Sequence, residues 1–125
     1  MERISAGNVE FHVETSASGA DDGGPSIQVR ASEDGRDVQL LRFDCFRDRP
    51  HYHYAPGPGD TRYYIDPTVV GDSLPWVISQ LRANLGPMLG RAGYPALGDT
   101  LDPSAVANAL DEVDAYFQAT ASGRA

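Results

Sequence analysis

Lysine is absent from this sequence, and all ten basic residues are arginine. That excludes a Schiff base or any other amine nucleophile. Cysteine occurs once, at Cys45, so neither an intrachain disulfide nor a multi-thiolate cluster can form. The ten basic groups face eighteen acidic ones, and the net charge of −8 repels phosphate backbones and anionic lipid surfaces. Non-specific nucleic-acid binding is therefore disfavoured. No apolar run approaches the length needed to cross a bilayer. The start Met1-Glu2-Arg3 has no apolar leader, which makes the cytoplasm the expected location. There is no internal repeat. What remains is a chain of 125 residues, 41% apolar, which suits a single domain over residues 1–125 whose core needs no staple.

The first half alternates. Val9 to Glu14 puts Val9, Phe11 and Val13 on one side and Glu10, His12 and Glu14 on the other, the pattern of a half-buried strand. Residues 15–25 are too polar and Gly-rich to pack and are expected to be a mobile loop. Alternation resumes from Ser26 to Ala31, and Asp34-Gly35 supplies a turn before Val38 to Phe46. Matching Ile27 and Val29 with Leu41 and Phe43 requires a three-residue loop or a bulge. Arg47 to Pro50 then connects Phe46 to His51-Tyr52-His53-Tyr54. A four-residue loop there sets Asp44 opposite His53 and gathers Phe43, Cys45, Tyr52 and Tyr54 into one apolar patch. After the irregular stretch Ala55 to Asp60, Arg62 to Asp66 reads as a fifth strand. The sheet region is thus residues 9–66.

From residue 73 to 119 the period becomes helical. Ser73 is placed to cap a helix whose stripe is Leu74, Val77, Ile78, Leu81, Leu85, Met88 and Leu89. Gly86-Pro87 predicts a kink or break in it, and Gly90 or Gly93 its end. Asp102-Pro103 starts a second helix, with Val106, Ala109, Leu110, Val113, Tyr116 and Phe117 at helical spacing and fraying beyond residue 120. The fold class predicted is α+β: an antiparallel meander of four or five strands followed by two amphipathic helices packed on one sheet face.

The other sheet face carries the chemistry. Parity places Glu10, His12, Glu14, Gln28, Arg30, Arg42, Asp44, His51 and His53 on it, with Arg62 and Tyr64 at its edge. All three histidines are in that set. Such a face can simply be solvated, or form a homodimer interface with Phe46 in its middle. A site is the third reading. His51-x-His53 projects two imidazoles to one side about 7 Å apart at Cα. His12, with Glu10 or Glu14, or else Asp44, would complete an N/O set for a transition metal, Zn, Fe(II) or Cu(II). The metal ligands so designated are His12, His51 and His53. Arg42, His51, His53 and Arg62 are the candidates for holding a small-molecule ligand. Without metal, Asp44 and His53 would form a general-base dyad in which the carboxylate raises the imidazole pKa. Cys45 must point to the opposite, buried face, which removes it as the nucleophile. The acidic residues between Asp99 and Asp114 read as a solvated helix face or as a surface for a basic protein partner.

The runs Leu41-Arg42-Phe43-Asp44 and Pro50-His51-Tyr52-His53 resemble the corresponding segment of TumE-like toxin components of bacterial toxin–antitoxin pairs. They also resemble small bacterial proteins with an Arg-Phe-Asp-Cys-Phe and Pro-His-Tyr-His-Tyr signature. The resemblance spans residues 41–53 and implies Arg42, Asp44, His51 and His53 as functional positions and a protein partner. Function expectations therefore run from a small-ligand or metal-binding protein, through a partner-binding component of such a pair, to a homodimeric module without chemistry. The sequence does not decide whether the protein is an enzyme.

Overall fold

The computed structural model describes residues 1–16 and 22–122. Its strands run in the order of the chain: β1 (Glu2–Ala6), β2 (Val9–Ser16), β3 (Gly24–Glu33), β4 (Arg36–Asp44), β5 (His51–Tyr54) and β6 (Tyr63–Tyr64). Each pairs antiparallel with the next, giving an open six-stranded meander. Four helices follow, α1 (Pro67–Val70), α2 (Ser73–Arg91), α3 (Pro95–Asp99) and α4 (Pro103–Ser122). The α+β class is as expected, with one strand and two short helices more. The added strand, β1, places only Ile4 and Ala6 in the core, too little apolar signal for alternation to show. The added helices α1 and α3 each begin at a proline, where a missing N–H costs nothing.

Two expected loop segments are partly regular. Thr15 and Ser16 pair with Pro25 and Gly24, so the β2–β3 ladder extends further than composition suggested. Residues 17–21 of the expected mobile loop lie outside the described residues. Gly24 is required where it stands: its φ is 152°, and a Cβ there would lie 2.5 Å from the carbonyl oxygen of Cys45. That close approach carries the backbone bonds Cys45 N–H to Pro25 O and Arg47 N–H to Gly23 O, which fix the chain leaving β4. At the other end α4 continues to Ser122, and residues 123–125 of the expected frayed tail are outside the described residues.

The β3–β4 hairpin resolves by a bulge. Asp34 and Gly35, with φ of 51° and 77°, make the two-residue turn between Glu33 and Arg36. The register then shifts between Val29 and Arg30, leaving Leu40 as the extra residue, so that Val29 still meets Leu41 and Ile27 meets Phe43. The β4–β5 register differs from the expected one by two residues: Asp44 pairs with His51 and Arg42 with His53. The strands end at Asp44 and resume at His51, so the connection holds six residues, 45–50, rather than four. Phe46 falls in that connection, not in the middle of a sheet face. A slip of two preserves which face each residue takes and changes only its partner.

Helices α2 and α4 cover the apolar face. Val77, Ile78, Leu81, Leu85 and Leu89 of α2, and Val106, Ala109, Leu110, Val113 and Phe117 of α4, are buried against Phe11, Val13, Ile27, Val29, Leu41 and Phe43 of the sheet. The expected break at Pro87 does not occur, because buried Leu85 and Leu89 hold the helix on either side of the one missing N–H. Asp72, not Ser73, is the N-cap of α2, its carboxylate accepting from the Leu74 N–H. Asp102 caps α4 as expected, accepting from the N–H groups of Ser104 and Ala105. No described helix is long and apolar enough to cross a membrane.

Candidate metal and ligand site

The site forms where β4, β5 and β6 meet on the face away from the helices. Asp44 closes β4 and its cross-strand neighbour His51 opens β5. His53 follows two residues later on the same side, and Tyr64 of β6 pairs with His51. Asp44, His51 and His53 are all buried, and one ligand atom from each lies within 4.8 Å of the others. His51 Nε2 is 3.1 Å from Asp44 Oδ2, and His53 Nε2 is 4.0 Å from the same oxygen. Ligand atoms about 2.0–2.1 Å from a tetrahedral zinc stand about 3.3 Å apart. The spacing found here brackets that value.

Each of the three groups is oriented from behind. The Nδ1–H of His51 donates to the carbonyl oxygen of Arg49 at 2.9 Å, which fixes the tautomer and leaves Nε2 toward Asp44. His53 Nδ1 is 2.7 Å from Asp60 Oδ2, so its Nε2 also faces inward. Asp44 Oδ1 accepts from Ser26 Oγ at 3.0 Å and from Arg42 Nε at 3.1 Å. Carboxylate or carbonyl acceptors behind metal-binding imidazoles are the usual support of such ligands. Asp60 reaches His53 because the chain turns sharply at Ala55, held at a φ of 44° with its N–H on the Leu40 carbonyl. Asp22 holds the neighbouring loop through the backbone N–H groups of Asp48 and Arg49, both at 2.9 Å.

The electrostatics follow from these contacts. Burial pushes the Asp44 carboxyl up, but hydrogen bonds from His51, Arg42 and Ser26 and the Arg42 charge outweigh it, so its pKa lies below the ordinary value. The Asp44 hydrogen bond raises the pKa of His51, assisted by the Arg49 carbonyl and opposed by burial and the Arg62 charge. Both ring nitrogens of His51 face atoms that only accept, so without metal these contacts favour the imidazolium form. The pair expected between Asp44 and His53 stands at 4.0 Å, while His51 takes the closer place at 3.1 Å as the cross-strand neighbour of Asp44, and the six-residue connection is the reason. Burial pushes the Cys45 thiol up to about 12, consistent with its core position.

His12 does not join the set. It stands on β2, with Gln28 of β3 and Arg42 of β4 between it and His53 along the row of paired residues. Its Nε2 contacts Glu10 instead, at 3.1 Å. Asp44 takes the third place assigned to it. Arg42, Arg62, His51 and His53 all line one cleft of about 470 Å³, whose walls include Phe46 and Tyr64. Sequence reasoning missed Asp60, Arg49 and Ser26. Ser26 shares the parity of Asp44 and could have been found; Asp60 and Arg49 sit in connections where no periodicity operates.

These features define a small α+β protein with a buried His/His/Asp cluster at one end of its open sheet face. Residues 3–117 match the model of a family described as a domain of unknown function, DUF7700, and the chain belongs to that family. No curated protein and no solved structure matches it.

Proposed function

We propose that the protein binds a divalent transition metal through Asp44 Oδ2, His51 Nε2 and His53 Nε2, with the remaining coordination positions open to the cleft. One observation carries this reading: both imidazoles have Nδ1 engaged from behind, by Arg49 O and by Asp60, while both Nε2 atoms turn toward one buried carboxylate oxygen. Two imidazoles and a carboxylate suit Zn or Fe(II), and also Cu(II). Three protein ligands leave the ion able to take a water or a small molecule, the arrangement of catalytic rather than closed structural sites. Binding displaces the proton from His51 Nε2, so metal uptake and pH are linked.

Metal analysis of protein purified without a His-tag tests this. The expected result is about one transition metal per chain in the wild type, less than a tenth of that in His51→Ala and His53→Ala, and an unchanged content in His12→Ala. Wild-type protein that stays metal-free after incubation with zinc and gel filtration would refute the proposal. So would loss in His12→Ala to the same extent.

A further inference from the structure

The cleft holds more than the metal ligands. Three arginines line it, Arg42, Arg49 and Arg62, against three aspartates, Asp22, Asp44 and Asp60. The formal charges of these six side chains balance one another. A divalent ion added to that balance leaves the cleft positive and attracts an anion. The arginines are not equally engaged. Arg42 is committed to Asp44. Among the described residues, neither Arg49 nor Arg62 pairs with a carboxylate. Arg49 rests over the Tyr64 ring, 5.2 Å from its centroid, and its Nη2 donates to the Tyr64 hydroxyl at 3.4 Å, leaving its other donors for a ligand.

The walls say what accompanies the negative charge. Phe46 packs edge-on against His51 with centroids 5.6 Å apart, and the Tyr64 ring is tilted against the same imidazole at 5.8 Å. Tyr64 is 53% exposed, one of few large apolar side chains left in solvent. A half-exposed aromatic ring beside two guanidinium groups that no carboxylate neutralises is a surface for an apolar body bearing an anionic head. The volume of about 470 Å³ lies in the range of small-molecule sites.

We infer that the cleft binds a small organic acid, its carboxylate received by Arg62 and Arg49 and its apolar body by Phe46 and Tyr64. This inference rests on the metal reading above, since the ion supplies the excess positive charge. A carboxylate fits the planar fork of a guanidinium in two parallel hydrogen bonds.

Benzoate is the probe, titrated calorimetrically into zinc-loaded and metal-free protein, with inorganic phosphate in parallel and zinc content measured on every sample. Saturable binding of one benzoate per chain is expected with zinc, at least tenfold weaker without it. Arg62→Ala and Arg49→Ala are each expected to weaken it about tenfold while retaining zinc. Three results overturn the inference alone: zinc-loaded protein that binds no benzoate, arginine variants that bind it as tightly as wild type, or phosphate that binds as tightly as benzoate. Wild-type protein that takes up no zinc overturns the metal reading and this inference with it, and the zinc measurement identifies that case.

Discussion

His12 and His51 lie on the same face of the same sheet, are buried to nearly the same degree, and each has a carboxylate oxygen 3.1 Å from Nε2. By composition and burial they are indistinguishable. They differ in what stands behind the carboxylate. Glu10 comes from the same strand as His12, two residues before it, and its side chain is 46% exposed. Asp44 comes from the strand next to His51, is 5% exposed, and is anchored by Ser26 and Arg42 while His53 approaches the same oxygen. A buried histidine beside an acid is therefore not yet a site. Convergence on an immobilised oxygen makes one, because the cost of ordering the ligands is met when the protein folds.

The sharpest way to break the comparison is to remove each acid. Asp44→Ala leaves the buried Nε2 of His51 without its partner and takes one partner each from Ser26 and Arg42, and is expected to cost about 3 kcal/mol in metal-free protein. Glu10→Ala removes a half-exposed pair and is expected to stay within about 0.5 kcal/mol of wild type. Urea unfolding at pH 6 measures both. Equal losses would mean that anchoring contributes nothing and that the two histidine environments are equivalent.

A smaller effect is expected from the support behind His53. Asp60→Ala leaves all three ligand atoms in place and frees the imidazole to rotate, so zinc affinity should fall 10- to 100-fold by the usual influence of such supports. Competition with a chromophoric chelator reads the change. Unaltered affinity would show that β5 alone orients the ring, and would bring His53 closer to His12, whose ring has no second anchor among the hydrogen bonds of the described residues.

The legibility of the two regions in the sequence differs for the same reason. Period-two alternation assigned His12, Asp44, His51 and His53 to one face correctly, and it survived a two-residue error in the β4–β5 connection because a slip of two keeps every face. The same error exchanged partners, setting His53 opposite Asp44 where His51 stands. Partner identity depends on connection length, and connection length depended on where β4 ends. That end is fixed by the bonds from Cys45 and Arg47 to the β3 end of the neighbouring hairpin, which no local pattern announces. The exclusion of His12 needed the strand order, a property of the whole sheet. Asp60 required the left-handed turn at Ala55, where alanine gives no signal that φ is positive. The helical stripes, in contrast, were readable almost residue by residue, since Val77 to Leu89 and Val106 to Phe117 repeat over several turns.

The smallest effect, and the one that most directly separates an ion pair from a metal centre, is the dependence of stability on pH. In metal-free protein the His51 pKa is raised above 6.5, so its contribution is fully present below 6.5 and is lost as pH rises through the higher folded value. The Asp44 pKa is lowered below 3.8, so its contribution is present above 3.8 and is lost as pH falls through the lower folded value. The two overlap at full strength between 3.8 and 6.5. Stability attributable to the pair should therefore be greatest in that window and decline on the alkaline side. Asp44→Asn should flatten both limbs, and an NMR titration should show the His51 midpoint above 6.5 in wild type and lower in the variant. Zinc reverses the alkaline limb. The ion competes with the proton for His51 Nε2, so zinc-saturated protein should gain stability as pH rises through neutrality, where metal-free protein loses it. Parallel profiles with and without zinc would mean that the proton and the ion do not share this nitrogen, leaving the Asp44–His51 contact a buried pair without a metal.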